Sequence, residues 1–270
     1  TNRNGDYIGY GPEAHELVGI PDPETFVQLP WDKRIARVFC TCFRNREEVE
    51  DPGGFLTSDC RGNLKRQHKE FKEKHGLELR AGTEPEMMWL TKNEDGTPTG
   101  SGFSKPYCYH IDQFESLRPV YMKVIEYSRF MGLDIIQGDH EDAPGQLELN
   151  FNYDDVLRNA DRLSTYRQIC AQVAREFNLI ACFLSKPFVG VSASGCHTNI
   201  SLWKEGEDQL IPCGNDTKAL PGMDQVYHHR RGGENVFMPD TDVRKIPGTV
   251  GLNASGGFME HLPALTALGS

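Results

Sequence analysis

Apolar and polar residues alternate strictly through "QLELNFNY" (146–153), with Leu147, Leu149 and Phe151 on one side and Gln146, Glu148, Asn150 and Asn152 on the other. Side chains two apart on a strand share a face, so the segment predicts a β-strand with one face bound for a core. Further strands are predicted over "IARVFCTCF" (35–43), a buried one, and over "LRAGTEPEMMWL" (79–90), "LDIIQG" (133–138), "LIACFLSKPF" (179–188) and "CHTNISLW" (196–203). Helical spacing marks "GNLKRQHKEFKEKHG" (62–76), a solvated polar helix stopped by Gly76, and "FESLRPVYMKVIEYSRFMG" (114–132), with Pro119 in its first turn and Gly132 at its end. A third helix, "DVLRNADRLSTYRQICAQVAREF" (155–177), takes Asp154 as N-cap and closes at Asn178. Residues 91–106 read as a long polar loop, and the chain from Lys204 is rich in Gly and Pro with few periodic segments.

The polar faces of three of these strands carry chemistry. Glu84 and Glu86 share one face, and Pro85 between them, with no N–H for a ladder, points to an edge or a bulge. Glu148 shares its face with Gln146, Asn150 and Asn152, while His197, Asn199 and Ser201 share another. These faces are either the solvated side of an antiparallel sheet or a gathered site. No lysine or arginine is expected on them, and carboxylates gathered without basic partners repel one another. A hard divalent cation with oxygen ligands relieves that repulsion. A histidine among the carboxylates favours magnesium or manganese in a catalytic setting over calcium.

Composition narrows the field. With 270 residues, 38% of them hydrophobic and 10% aromatic, the chain is globular and long enough to bury a sizeable core. A net charge of −10 makes nucleic acid and anionic membrane poor partners, so anionic substrates would need metal ions or clustered arginines. Cysteines at 40, 42, 60, 108, 170, 182, 196 and 213 form no CxxC pair. Reduced buried thiols in a cytosolic protein are the plain reading, a disulfide framework or structural zinc the alternative. No apolar run approaches the roughly 20 residues that span a bilayer, and no charged-then-apolar leader opens the chain; the expected location is the cytoplasm.

"GTEPE" (82–86), "GDHEDAPGQLE" (138–148), "KPF" (186–188) and "SGCHTNISLW" (194–203), in that order and at those separations, resemble the glutamine synthetase family, nearest its type I bacterial members. The resemblance implies an α+β fold: a catalytic domain with a curved antiparallel sheet and flanking helices over residues 51–270, its C-terminal part missing, preceded by part of a β-grasp domain over 1–50. It implies a homo-oligomer, a dodecamer of two hexameric rings. Position by position, it gives one metal site to Glu86, Glu141 and Glu148 and a second to Glu84 and His197. Tyr153, Asn199 and Ser201 fall on the ATP side. Ser192, Ala193 and Gly195 fall at the glutamate loop, and Tyr107 and Tyr109 at the amine side. The implied reaction is phosphoryl transfer from ATP to the γ-carboxylate of glutamate, with Mg2+ or Mn2+, followed by attack of an amine on the acyl phosphate. Glu141 would both ligate metal and help take a proton from the amine.

Departures qualify this picture. Where the family usually has Asn-Gly the chain has Ser192 and Ala193, and where it commonly has a second histidine the chain has Asn199. Both changes suit relatives that join glutamate to an organic amine, such as γ-glutamylanilide and γ-glutamyl-alkylamide synthetases. Tyr107, Cys108 and Tyr109 of "KPYCYHID" (105–112) offer a wall for a ring, or else merely anchor their loop. The family's later arginines, flap glutamate and last metal ligand have no counterpart, so a fragment of the enzyme, or part of a longer chain, is expected. Ordinary glutamine synthesis, a catalytically silent structural relative and a different carboxylate-metal enzyme stay open; retention of the five metal-ligand positions Glu84, Glu86, Glu141, Glu148 and His197 speaks against the silent relative. Trp31, Trp89 and Trp203 read as core, and "YHHRRGGEN" (227–235) as a surface loop.

Overall fold

The computed structural model describes Asp6 and residues 17–46, 56–100 and 108–204. Tyr107, the segment 227–235 and Cys213 lie outside the described residues. The chain divides into two compact units, Thr1–Lys69 and Glu70–Ser270.

In the first unit, β1 (Val18–Pro21), β2 (Val27–Leu29), β3 (Asp32–Arg37) and β4 (Cys40–Phe43) form two small antiparallel sheets, β1 with β4 and β2 with β3. The single buried strand expected over 35–43 is therefore two strands with different partners, and of its residues only Phe43 is buried. The break has a local cause. Phe39 leaves the ladder because its N–H donates to Thr25 Oγ1 at 2.8 Å and its carbonyl accepts from Asp22 N at 2.8 Å. The half-buried ring lies against guanidinium groups instead, Arg37 at 4.1 Å and Arg61 at 5.5 Å from its centroid.

The chain passes from the first unit to the second within α1 (Cys60–His75), which ends as expected: Gly76 has φ +62° and its N–H donates to Lys72 O at 2.8 Å.

The second unit is organised on one long strand, β5 (Leu77–Lys92). β6 (Pro98–Thr99) folds back on its end through a turn at Gly96, φ +82°, so part of the expected polar loop is a short hairpin. α2 (Ile111–Ser116) and α3 (Arg118–Phe130) replace the one helix expected over 114–132. The break falls at Leu117, just before Arg118 and Pro119, since proline is tolerated only in a first turn. β7 (Ile135–His140), β8 (Gln146–Phe151), β9 (Asp154–Asp155), α4 (Val156–Glu176), β10 (Ile180–Cys182) and β11 (Cys196–Lys204) complete it. The sheet runs β10-β5-β8-β7, with β6, β9 and β11 also on β5, every pairing antiparallel.

Two expectations shift by small steps. The N-cap of α4 is Asp155, whose carboxylate accepts from Leu157 N at 2.9 Å; Asp154 is buried and paired with Arg162 at 2.8 Å. Of 179–188 only Ile180–Cys182 is strand, because the chain then turns over the sheet rather than along it. Pro85 is not on an edge. It lies on the central strand between the β9 ladder at Arg80 and Ala81 and the β8 ladder at Glu86–Met88, where a missing N–H costs no pairing.

The core sits between β5, β8 and the helices α3 and α4. Met87, Trp89, Leu147, Leu149, Phe151, Tyr166, Ile169, Val173 and Val124 are all at most 2% exposed, and each such side chain is worth about 1.5–3 kcal/mol. Trp203 is buried as expected, while Trp31 is only half-buried. The described cysteines are free thiols, and no described helix is long and apolar enough to cross a membrane.

Candidate active site

The strand registers bring the predicted carboxylates together. Glu86 lies directly opposite Glu148, and Glu84 directly opposite His197. Like charges placed opposite each other destabilise a sheet, yet here Glu148 is also withdrawn from water, 8% exposed, with Gln146 on the same face 1% exposed and Glu86 half-buried. The polar face of β8 is therefore not a solvated side. Glu84, Glu148 and His197 each offer a ligand atom, all within 4.8 Å of one another. Each carboxylate already has one oxygen engaged by an amide: Asn199 Nδ2 donates to Glu84 Oε1 and Asn150 Nδ2 to Glu148 Oε1, both at 2.7 Å. The remaining oxygens and the imidazole make a hard, mostly oxygen donor set that fits a divalent cation.

Glu141 follows β7 at the head of a tight turn closed by Gln146 N to Ala143 O and by Glu141 N to Gln146 O, both 3.0 Å, with Gly145 at φ +70°. Burial, then the negative charges of Glu86 and Glu148, push its carboxyl up to about 7. Burial also raises Glu148, against the hydrogen bond from Asn150; Glu84 and Glu86 raise it further. The carboxylates thus sense one another strongly, as a gathered acidic site must.

Glu86 is the most firmly held. Its Oε2 accepts from Gln146 Nε2 and from Gly195 N, each at 3.0 Å. A Cβ on Gly195 would lie 2.9 Å from Glu86 Oε1 and 3.2 Å from His197 Cε1, so close approach requires glycine here. Ser192 donates its hydroxyl to Asp142, and Ala193 O accepts from Gln146. Tyr109 is exposed, with φ 60°; its N–H donates to His140 O at 2.8 Å, which places it and Cys108 within the field of Glu141.

Tyr153 and Ser201 lie further along the same face. Tyr153 stacks on Trp203 at 5.8 Å between centroids, and Ser201 Oγ accepts from Trp203 Nε1 at 2.6 Å. The expected absence of basic residues fails at this end, because Arg80, within the strand predicted over 79–90 and an even number of positions from Glu84, shares the face, opposite Ser201. Arg80 Nε donates to Glu78 at 2.7 Å and its guanidinium lies 4.1 Å from the Trp203 ring centroid. It lies four positions from Glu84, about 13 Å along a strand. Gln146 and Ser194 were not among the expected site residues; the sole signal for Gln146 was its place two before Glu148.

Residues 57–229 match the family described as glutamine synthetase, catalytic domain. The chain belongs to the glutamine synthetase family. It is 32% identical to a glutamine synthetase of Rhizobium leguminosarum bv. phaseoli over 97% of this chain and 52% of that one. It is 31% identical to a glutamine synthetase of Pyrococcus furiosus over 96% of this chain and 49% of that one. The chain thus spans about half the length of these relatives. Among solved structures, apo GmaS without ligand superposes with a TM-score of 0.64 at 29% identity, over 73% of this chain and 45% of that one. The Plasmodium falciparum glutamine synthetase shares the fold, with a TM-score of 0.62 at 22% identity over 76% of this chain and 44% of that one.

Proposed function

We propose that the protein is an ATP-dependent ligase that joins the γ-carboxylate of glutamate to an amine through a γ-glutamyl phosphate, with an organic amine preferred over ammonia. The observation that carries the reading is the meeting of Glu84, Glu148 and His197 within 4.8 Å on a sheet face that also holds Glu86. Mg2+ or Mn2+, when bound by Glu84, Glu86, Glu141, Glu148 and His197, supplies the positive charge that lets ATP approach an anionic carboxylate. The chain's own groups do the rest. Glu141 stands beside the negative Glu86 and Glu148, which together with burial push its carboxyl up to about 7 in the metal-free fold, and in the reacting enzyme it would serve as the carboxylate that takes a proton from the incoming amine. Ser192, Ala193 and Gly195 belong to the loop that seats glutamate. Ser201, whose oxygen is engaged by Trp203, keeps its hydrogen for the nucleotide beside Tyr153. Residues 1–50 belong to a β-grasp domain, 51–270 to the catalytic domain, and the setting is a cytoplasmic dodecamer, on the pattern of the family.

The amine preference rests on Asn199, Ser192 and Ala193 and on the exposed Tyr109 beside Glu141. An arylamine is neutral at pH 7 and needs a flat slot rather than a cation pocket. Steady-state phosphate release by the full-length protein with ATP, glutamate and ammonium, methylamine, isopropylamine or aniline tests both levels. An organic amine should exceed ammonium in kcat/KM by at least about tenfold, or ~1.4 kcal/mol. A clear preference for ammonium returns the protein to glutamine synthesis; no release with any amine overturns the ligase reading.

A further inference from the structure

Gln146 is 1% exposed, a degree of burial that an amide tolerates only when its polar atoms are partnered. Its Oε1 accepts from Ala143 N at 2.8 Å, inside the turn that presents Glu141. Its Nε2 stands 3.0 Å from Glu86 Oε2, 3.1 Å from Ala193 O and 3.1 Å from Ser194 Oγ. One side chain therefore touches the Glu141 turn, a carboxylate of the acidic cluster and the 192–195 loop.

We propose that Gln146 is a positioning residue that locks Glu86 with Oε1 toward the cation and ties that orientation to the seating of the 192–195 loop. The inference rests on the ligase reading above and adds how its cation side and its glutamate side are joined. Because Gln146 Nε2 and Gly195 N both donate to Oε2, that oxygen is saturated, whereas Oε1 accepts from neither and borders the space that a Cβ on Gly195 would fill, a space His197 borders as well. Hydrogen bonds to a carboxylate are the stronger kind, and two of them from separate segments determine a torsion that a lone glutamate would leave free. The loop is held on the same body from its other end, since Ser192 donates to Asp142 in the Glu141 turn and Ser194 N donates to Ser185 O at 2.7 Å. If the loop lifts, Gln146 loses two acceptors and Glu86 loses Gly195 N. If Glu86 rotates, the amide loses its charged partner. Linkage makes this reciprocal: whatever seats the loop favours the cation, and the reverse.

The test uses the full-length protein with Mn2+ as probe. Mn2+ binding is followed by electron paramagnetic resonance without nucleotide, and glutamate KM and kcat are measured separately. Gln146→Met keeps the volume and removes every hydrogen bond. It should weaken one class of Mn2+ site by about tenfold, the size of one charge-assisted hydrogen bond, and leave the other within about twofold. Glutamate KM should rise by a similar factor with kcat changed less. A merely structural glutamine would lower the melting temperature and leave Mn2+ affinity and the KM of the folded fraction alone. Ser194→Ala removes a single acceptor and carries little folding risk; glutamate KM should then rise about two- to threefold, the effect of one neutral hydrogen bond. A wild type that binds no Mn2+ and releases no phosphate overturns the ligase reading and this one together. A wild type that does both, while either folded variant matches it in Mn2+ affinity and KM, overturns the role of Gln146 alone.

Discussion

Glu84 and Glu86 lie on the same face of β5 as Met88 and Leu90, yet the two pairs live in opposite environments. Met88 and Leu90, 0% and 2% exposed, pack with Ala143 and Cys182, against which Ile180, Phe188 and Val191 close. Glu84 and Glu86 are half-buried and meet amides, a backbone N–H and an imidazole. The covering pieces are shared: Ala143 belongs to the Glu141 turn, and Val191 precedes the loop that supplies Gly195. An apolar contact thus pins down the segments that hold the carboxylates, and the boundary between the two environments is one residue wide, at Met87. Packing and chemistry are not separate layers here; the dry half of the strand is the footing of the wet half.

Perturbing the dry half should have the largest effect. Met88→Ala should cost about 2–5 kcal/mol in denaturant unfolding of the full-length protein, and it should also weaken cation binding, because the Glu141 turn loses its footing. A loss of stability with cation affinity untouched would separate the two halves. Glu148→Gln should do the reverse. Its metal-free melting temperature should be unchanged or higher, since a buried like-charge neighbour of Glu86 is removed, while most of the rise caused by Mg2+ or Mn2+ should vanish. At a hundredfold excess over Kd that rise is worth about 2.7 kcal/mol in the wild type; an undiminished rise would put the metal elsewhere.

A smaller effect is expected at the seam. Gly195→Ala places a methyl 2.9 Å from Glu86 Oε1, and it should lower kcat/KM by about tenfold, ~1.4 kcal/mol, with little change in unfolding. Kinetics equal to wild type would show that the loop shifts freely away from Glu86. The last effect is in pH and is confined to the metal-free protein. Glu141 has its carboxyl raised from 4.5 to about 7 in the fold. Between those values the unfolded chain releases the proton that the folded chain keeps, so metal-free stability should fall as pH rises from about 4.5 to 7 and level off beyond. Glu141→Gln should flatten that part of the pH–stability curve; an identical slope would deny that Glu141 sits in the field of Glu86 and Glu148.

The alternation in "QLELNFNY" was enough to predict β8 and its apolar face, and the capping glycines at 76 and 132 were enough to end two helices, because these signals are local: a side-chain period of two, or a backbone that needs positive φ. The pairing of Glu84 with Glu86 on one face, and of His197 with Asn199 and Ser201 on another, was legible for the same reason. Sequence alone could not say that 35–43 breaks in two, since the competitor for Phe39 is Thr25, a residue fourteen positions away. Nor could it say whether Glu148 faces water. That was decided by β5 lying opposite it and by the 192–195 loop closing over Gln146, contacts between segments about fifty to sixty residues apart. Which residues share a face follows from strand geometry and is written in the chain one residue at a time. Which faces meet depends on register between distant strands, and the burial that raises Glu141 and buries Gln146 exists only once those strands have paired.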